Sequence, residues 1–210
     1  MAWQPLTPGI AAALPKAVRH WALIQTSVTA EIERVTGAPL SVALIRQEDA
    51  ALLPDEQGLL MADTPDAETS DAQTSDAGMP NPGTGPATVR EVVLWAAGAP
   101  RVVARTVFTA PRLREDEALR TLGERSLAEI LFAGPGVSPF TQRELTRIDS
   151  GLPALYGLIT RHHAPAAPFY WARRTLFRLH DAPILCTEVF LPELLAATEV
   201  ALPRGQAGVA

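Results

Sequence analysis

Arg90, Arg105 and Glu188 each carry a charge in a setting made for apolar side chains. Arg90 alternates with Val92 and Leu94, and Arg105 alternates with Val103 and Val107. Glu188 interrupts the run Ile184-Leu185-Cys186-Thr187-Glu188-Val189-Phe190-Leu191. Residues i and i+2 of a strand share a face, so each charge has apolar neighbours on its own side. Burying an unpaired charge is costly, which leaves three arrangements: an ion pair, a neutralised group, or a side chain facing a polar cavity. Arginine suits a cavity that takes acids, because its planar fork of donors matches a carboxylate in bidentate fashion. A carboxylate in a cleft can accept a hydrogen bond or act on a proton, and such groups gather at functional sites. Arginines at such positions are commonly structural as well as suited to carboxylate recognition, and for Glu188 the alternative is a structural ion pair with an arginine of a neighbouring strand.

A fourth candidate is the stretch Ser126-Leu127-Ala128-Glu129, which has the spacing of a capping box. Ser126 and Glu129 would satisfy each other's amides, leaving those of Leu127 and Ala128 for an anion or for water. The adjacent His162 and His163 have no third ligand at helical or hairpin spacing, so no metal site is expected. Cys186, the single cysteine, excludes an internal disulfide and reads as a small core residue. A Gly-rich phosphate loop and a Gly-x-Ser-x-Gly elbow are both absent.

These residues need strands to hold them. Residues 184–192 read as a strand covered on both sides, since both parities are apolar. Thr88 to Leu94 and Arg101 to Thr109 form a hairpin around Ala97-Gly98-Ala99-Pro100, and Phe169 to Leu179 is a strand studded with Arg173, Arg174 and Arg178. Residues 15–36 read as one helix, with Val18, Trp21, Ile24, Val28, Ile32 and Val35 at spacings of three and four, ended by Gly37 and Pro39. A strand follows from Pro39 to Ile45. Short helices are expected at Arg114 to Leu122 and from Ser126 through Phe132, while Pro139 to Asp149 fits strand and helix alike. Residues 150–168 read as a long loop. With hairpin-linked strands and no βαβ alternation, the fold class is α+β on an antiparallel sheet of about six strands.

The 210 residues, 47% hydrophobic, suit a single domain spanning 1–210. Residues 63–87 hold five acids, no base and a decaying five-residue repeat, and are expected to be a disordered insertion. Apart from those acids, acidic and basic residues are equal in number, so neither a nucleic-acid footprint nor a membrane-binding patch is indicated. No apolar run approaches the roughly 20 residues of a membrane helix, and no secretory signal is recognisable. The expectations are a cytoplasmic monomer and a frayed tail after about residue 196.

Five segments taken in order resemble bacterial chorismate pyruvate-lyase: Arg90 to Leu94, Ala104 to Val107, the Ser126-Leu127 helix start, Trp171 to Arg174, and Thr187 to Pro192. Ser27-Val28 in the first helix also matches. The resemblance implies conversion of chorismate to 4-hydroxybenzoate and pyruvate, the entry step to ubiquinone, with no metal or cofactor. It implies a six-stranded antiparallel sheet with helices packed on it, the product lying beneath mobile flaps. By the same resemblance Arg90 holds the ring carboxylate, Glu188 faces the ring hydroxyl, Leu127 and Val28 line the pocket, and Arg105 is a second arginine of the site. Val28 stands where the family pattern has methionine and Ser126 where it has proline; residues 63–87 and much of 151–165 are insertions.

Other readings are a non-catalytic sensor of small aromatic acids, a related enzyme making 3-hydroxybenzoate from chorismate, and an interaction module in which Arg90 and Glu188 pair internally. A regulator would need a DNA-reading part, and the residues before Pro39 read as one helix, not a helix-turn-helix.

Overall fold

A computed structural model describes residues 3–62, 87–109, 111–131, 137–163, 166–179 and 182–202. Its framework is one seven-stranded sheet of β1 (Gln4–Pro5), β2 (Leu40–Ala50), β3 (Ala87–Ala96), β4 (Ala99–Phe108), β5 (Val137–Ile148), β6 (Tyr170–Leu179) and β7 (Ala182–Phe190). The order is β1-β5-β6-β7-β4-β3-β2, with every neighbouring pair antiparallel. The α+β class expected from the sequence is the one observed, with short β1 as an added edge. The helices are α1 (Pro8–Ala13), α2 (Lys16–Leu23), α3 (Val28–Thr36), α4 (Pro54–Ala62), α5 (Pro111–Arg114), α6 (Glu117–Arg120), α7 (Ala128–Leu131), α8 (Pro153–His162) and α9 (Pro192–Ala201).

The β3–β4 hairpin turns on Ala97 and Gly98, both at positive φ (49° and 71°), the backbone a two-residue turn between right-twisted strands requires. One residue of β4 is then gained between Leu94 and Trp95, so Arg90 faces Thr106 and Glu91 faces Arg105. Cross-strand partners share a face, and the ladders therefore sort the charges into two rows. On the front face run Arg90, Thr106, Cys186, Thr175 and Arg143. On the back face run Arg46, Glu91, Arg105, Thr187, Arg174 and Glu144.

At one end of the front face, helices α2, α3 and α9 bury Trp21, Ile32 and Leu194 against Val92, Leu94 and Phe190. Trp21 also donates to the Thr198 hydroxyl at 2.7 Å. At the other end Leu113, Leu119 and Leu131 of α5, α6 and α7 pack on Phe108 and Ile184. A cavity is left between these two groups. The back face is covered by α8, through Leu155, Leu158 and Ile159, and by α4, through Leu60.

Helix α4 is held chiefly by charge. Glu56 accepts from Arg105 Nε and Nη2 at 2.7 and 3.0 Å, and Asp55 accepts from Arg174 Nη1 at 3.2 Å and Trp3 Nε1 at 2.6 Å. Arg105 Nη1 donates to Glu91 at 2.6 Å, and Arg46 donates to both Glu91 oxygens at 2.6 and 2.9 Å. Burial by itself pushes the Glu91 carboxyl up, but the bonds from Arg46 and Arg105 outweigh it and hold the group below its usual value. A carboxylate lowered in the fold contributes stability that is complete above the unfolded value, near 4.5, and is lost as pH falls through the folded one. Urea unfolding of wild type and Glu91→Gln, run from about pH 6 down to about pH 3, is expected to show a stability gap that closes on acidification. A gap constant across that range removes Glu91 from the acid response.

Several local expectations change in the fold. The helix expected over 15–36 is two helices, because the chain opens at Ile24 and Ser27 starts a new helix by accepting from the Ala30 amide at 3.3 Å. The freed Ile24 carbonyl accepts from Arg143 and Arg173 of the sheet, at 2.8 and 3.2 Å. The region before Pro39 thus holds three helices, with α2 and α3 packed on the front face. The strand expected at 39–45 runs on to Ala50, and Pro139 to Asp149 resolves as strand β5. The expected loop at 150–168 contains helix α8, with Pro153 in its first turn and a buried face at Leu155, Leu158 and Ile159. Helix α9 continues to Ala201, so residues 196–201 are helical, where a tail was expected. The insertion expected at 63–87 lies outside the described residues except for Ala87, which begins β3.

Candidate active site

The front-face cavity brings together four of the five residues singled out from the sequence. Arg90, Glu188, Leu127 and Val28 line it. Arg90 comes from β3 and Glu188 from β7, separated by one strand and two residues along the ladder, roughly 12 Å in backbone position at ordinary strand spacings. Val28 opens α3, and Leu127 precedes α7. The neighbouring Ser126 hydroxyl donates to Thr29 Oγ1 at 3.3 Å, and Thr29 Oγ1 in turn is 2.7 Å from Ser27 Oγ. These contacts join the start of α3 to the Leu127 segment beside the cavity.

Arg105 is not in this group. It lies on the back face, between Glu56 and Glu91, with both side-chain partners buried. The expectation that it belongs to the site is corrected by the ladder: Arg105 pairs with Glu91, while its neighbour Thr106 pairs with Arg90 and enters the cavity. The anion-binding helix start also changes. Glu129 takes the Ser126 amide at 3.0 Å as a capping box requires, but Ser126 Oγ takes the Ala128 amide at 3.2 Å, so that amide is occupied. His162 ends α8, and His163 is buried against Tyr170 and Glu193 on the back face. Among the described residues, no three His, Cys, Asp or Glu side chains gather as a metal would need. No described helix is long and apolar enough to cross a membrane.

Arg90 is the most unusual group in the cavity. It is 4% exposed, and among the described residues no carboxylate pairs with it. Its Nη2 donates to the Gly123 and Arg125 carbonyls at 2.7 and 2.9 Å, which fixes one edge of the guanidinium. Its Nε is buried with no acceptor. A buried donor left unmade costs about 1–3 kcal/mol, more when charged, and here it belongs to a cation with no carboxylate partner among the described residues. Burial pulls the Arg90 guanidinium below its ordinary value, as expected for a charge removed from water without a counter-ion.

Glu188 is differently placed. Arg173, directly across the β6–β7 ladder, donates to its Oε2 through Nε at 2.9 Å and Nη2 at 2.5 Å. The structural ion pair considered from the sequence therefore exists, and it lies in the cavity wall. Both of these bonds fall on Oε2. Arg173 Nη1 reaches the Trp21 and Ile24 carbonyls at 2.8 and 3.2 Å, so the last turn of α2 holds the guanidinium that holds Glu188.

Two cavity residues, Arg143 and Arg173, were not assigned to the site from the sequence. Arg173 sits beside Arg174 in a strand pattern, and which of the pair faces inward depends on the register with β7. Arg143 lies in the stretch that fits helix and strand alike, so its face was open until β5 formed. Cys186 and Thr106 lie on the cavity face between Arg90 and Glu188, and burial pushes the thiol up to about 12. The cavity lining thus includes Arg90, Arg125, Arg143 and Arg173 against the single carboxylate of Glu188, a formal excess of three positive charges, together with apolar residues such as Val42, Val92, Leu94 and Phe177.

The chorismate lyase family profile matches residues 1–200. A protein of Azoarcus sp. named "Probable chorismate pyruvate-lyase" is 33% identical over 185 residues, 85% of each chain. Those of the same name from Dechloromonas aromatica and Nitrosospira multiformis are 34% and 31% identical, covering 84% and 92% of this chain and 88% and 94% of theirs. Among solved structures, the effector domain of PhnF from Mycobacterium smegmatis aligns with 81% of this chain and 91% of its own, at 21% identity and a TM-score of 0.49. With the profile spanning nearly the whole chain and relatives above 30% identity over most of both lengths, this protein belongs to the chorismate lyase family.

Proposed function

We propose that the protein eliminates pyruvate from chorismate to give 4-hydroxybenzoate, a product that enters ubiquinone synthesis, and that it does so with its own side chains and no cofactor. The observation that carries this reading is Arg90: a buried guanidinium with an unmet Nε–H, one strand and two residues from the Glu188 carboxylate. Arg90 holds the ring carboxylate and Glu188 accepts from the ring hydroxyl. Val28 and Leu127 close on the ring from α3 and the start of α7. A cavity lined by an excess of positive charge suits a dianion such as chorismate. The reading includes a monomeric enzyme acting on a small molecule and not on nucleic acid.

In the elimination, the ether bond between ring C3 and the arm oxygen breaks and its electrons become the pyruvate carbonyl. The C4 hydrogen moves to the arm's methylene carbon, which becomes the pyruvate methyl, and the C4–H electrons complete the aromatic ring. This internal transfer needs the arm folded over the ring, so positioning and fixed charge supply the catalysis. Glu188 acts first as the hydroxyl anchor. In the alternative, Glu188 removes the C4 proton and solvent later protonates the enol.

Incubating the purified protein with chorismate and identifying the aromatic product tests the reading: 4-hydroxybenzoate supports it, and 3-hydroxybenzoate or unchanged chorismate overturns it. Chorismate deuterated at C4 separates the two routes, since internal transfer carries the label into the pyruvate methyl and the base route loses it to water. Glu188→Gln, which keeps an acceptor and removes the charge, is expected to retain substantial turnover and to lose mainly product affinity. A fall in turnover of several powers of ten with binding intact makes Glu188 the base.

A further inference from the structure

We infer that Arg143 binds the second carboxylate of the substrate, the one borne by the enolpyruvyl arm, an assignment that rests on the lyase reading of the cavity. Arg143 and Arg90 are the two ends of a single cross-sheet row, Arg90-Thr106-Cys186-Thr175-Arg143, all on the front face. Four strand spacings separate them, about 19 Å in backbone position. The three residues between are short, and Thr106 and Cys186 line a floor over which two long guanidinium side chains can approach a common ligand from opposite sides.

The positions on the substrate match this layout. Chorismate carries its ring carboxylate on C1, the hydroxyl on C4 and the enolpyruvyl ether on C3, next to the hydroxyl. With the ring carboxylate at Arg90 and the hydroxyl at Glu188, the arm leaves the ring beside Glu188 and away from Arg90. Arg143 stands on that side: its strand β5 lies next to β6, whose Arg173 holds Glu188, and all three side chains line the cavity. Arg173 is committed to Glu188 and to the carbonyls of α2. Burial, with Arg173 adding to it and Glu188 opposing, pulls Arg143 down to about 10, a strain that a further carboxylate relieves.

Arg143 is itself anchored, through Nη1 to the Ile24 carbonyl at 2.8 Å and Nε to the Thr175 hydroxyl at 3.4 Å. Fixing the arm's carboxylate at this point holds the methylene carbon over C4, the geometry that internal hydrogen transfer requires. It also makes Arg143 the residue that distinguishes the dianionic substrate from the monoanionic aromatic product.

The experiment compares wild type, Arg143→Gln and Arg143→Lys in kcat/KM for chorismate and in Kd for 4-hydroxybenzoate, which has no second carboxylate. Arg143→Gln is expected to lose about 30-fold or more in kcat/KM, as removal of one partner of a buried charge pair does, while its 4-hydroxybenzoate Kd stays close to wild type. Arg143→Lys recovers part of the loss. Retained 4-hydroxybenzoate binding also shows that the variant is folded. Equal losses for both ligands overturn the assignment, because Arg143 then only shapes the cavity through Ile24. An unchanged kcat/KM overturns it as well, placing the arm's carboxylate elsewhere. A wild-type protein that leaves chorismate unaltered, in contrast, fails before any variant is made and brings down the lyase reading itself.

Discussion

Replacement of Arg90 by alanine is expected to weaken 4-hydroxybenzoate binding by about 2–5 kcal/mol, roughly 30- to several-thousand-fold. The size follows from the environment. Arg90 is 4% exposed, its Nη2 edge is fixed by the Gly123 and Arg125 carbonyls, and its Nε is buried without an acceptor. A carboxylate arriving there meets a desolvated, oriented cation, and the hydrogen bonds formed are charge-assisted. Arg90→Lys recovers only part of the affinity, since an ammonium lacks the planar fork. Phenol is the control ligand, because it keeps the hydroxyl and has no carboxylate; its weak binding should hardly change in Arg90→Ala. Equal losses for phenol and 4-hydroxybenzoate would mean that Arg90 merely props up the Gly123–Arg125 segment.

Arg105→Met is expected to produce the opposite pattern, a loss of about 3–5 kcal/mol in folding stability with ligand affinity preserved. Removing this guanidinium leaves Glu56 buried without its two bonds and takes one of the bonds from Glu91. Total stabilities of about 5–15 kcal/mol make such a loss large, so the urea midpoint should fall sharply with little change in slope. The double variant Glu56→Leu/Arg105→Met should be more stable than Arg105→Met alone, because it removes the stranded carboxylate and leaves Glu91 paired with Arg46. If Arg105→Met instead unfolds like wild type and loses 4-hydroxybenzoate, the back-face network is not what Arg105 serves.

The contrast between these two arginines marks how far the sequence could be read. Both alternate with valine and leucine in adjacent strands of one hairpin, and both look like candidates for an acid-binding site. A two-residue turn pairing Ala96 with Ala99, continued without interruption, would set Arg90 opposite Arg105 and send both to the same face. The irregularity between Leu94 and Trp95 shifts the pairing by one, and a one-residue shift reverses the face of everything beyond it. Arg105 therefore joins the back-face network and Thr106 takes its place in the cavity.

Strand existence, the hairpin, the antiparallel class and the two charged residues Arg90 and Glu188 that line the cavity were legible because each rests on local information: period-two alternation, turn residues, and a charge that apolar neighbours make conspicuous. Arg90, Glu188, Val28 and Leu127 could be named with the family resemblance added to that. The break at Ile24, the helix at Pro153–His162, the capture of α4 by Glu56, and the entry of Arg143 and Arg173 into the cavity depend on partners far away in the chain. Arg173 is fifteen residues from Glu188 but more than a hundred from the Trp21 and Ile24 carbonyls that hold it. Local pattern determined which charges would be hard to bury. Only the register of strands and the packing of helices decided which of those charges would neutralise one another and which would be left facing a cavity, because a charge's cost depends on what lies across the sheet from it.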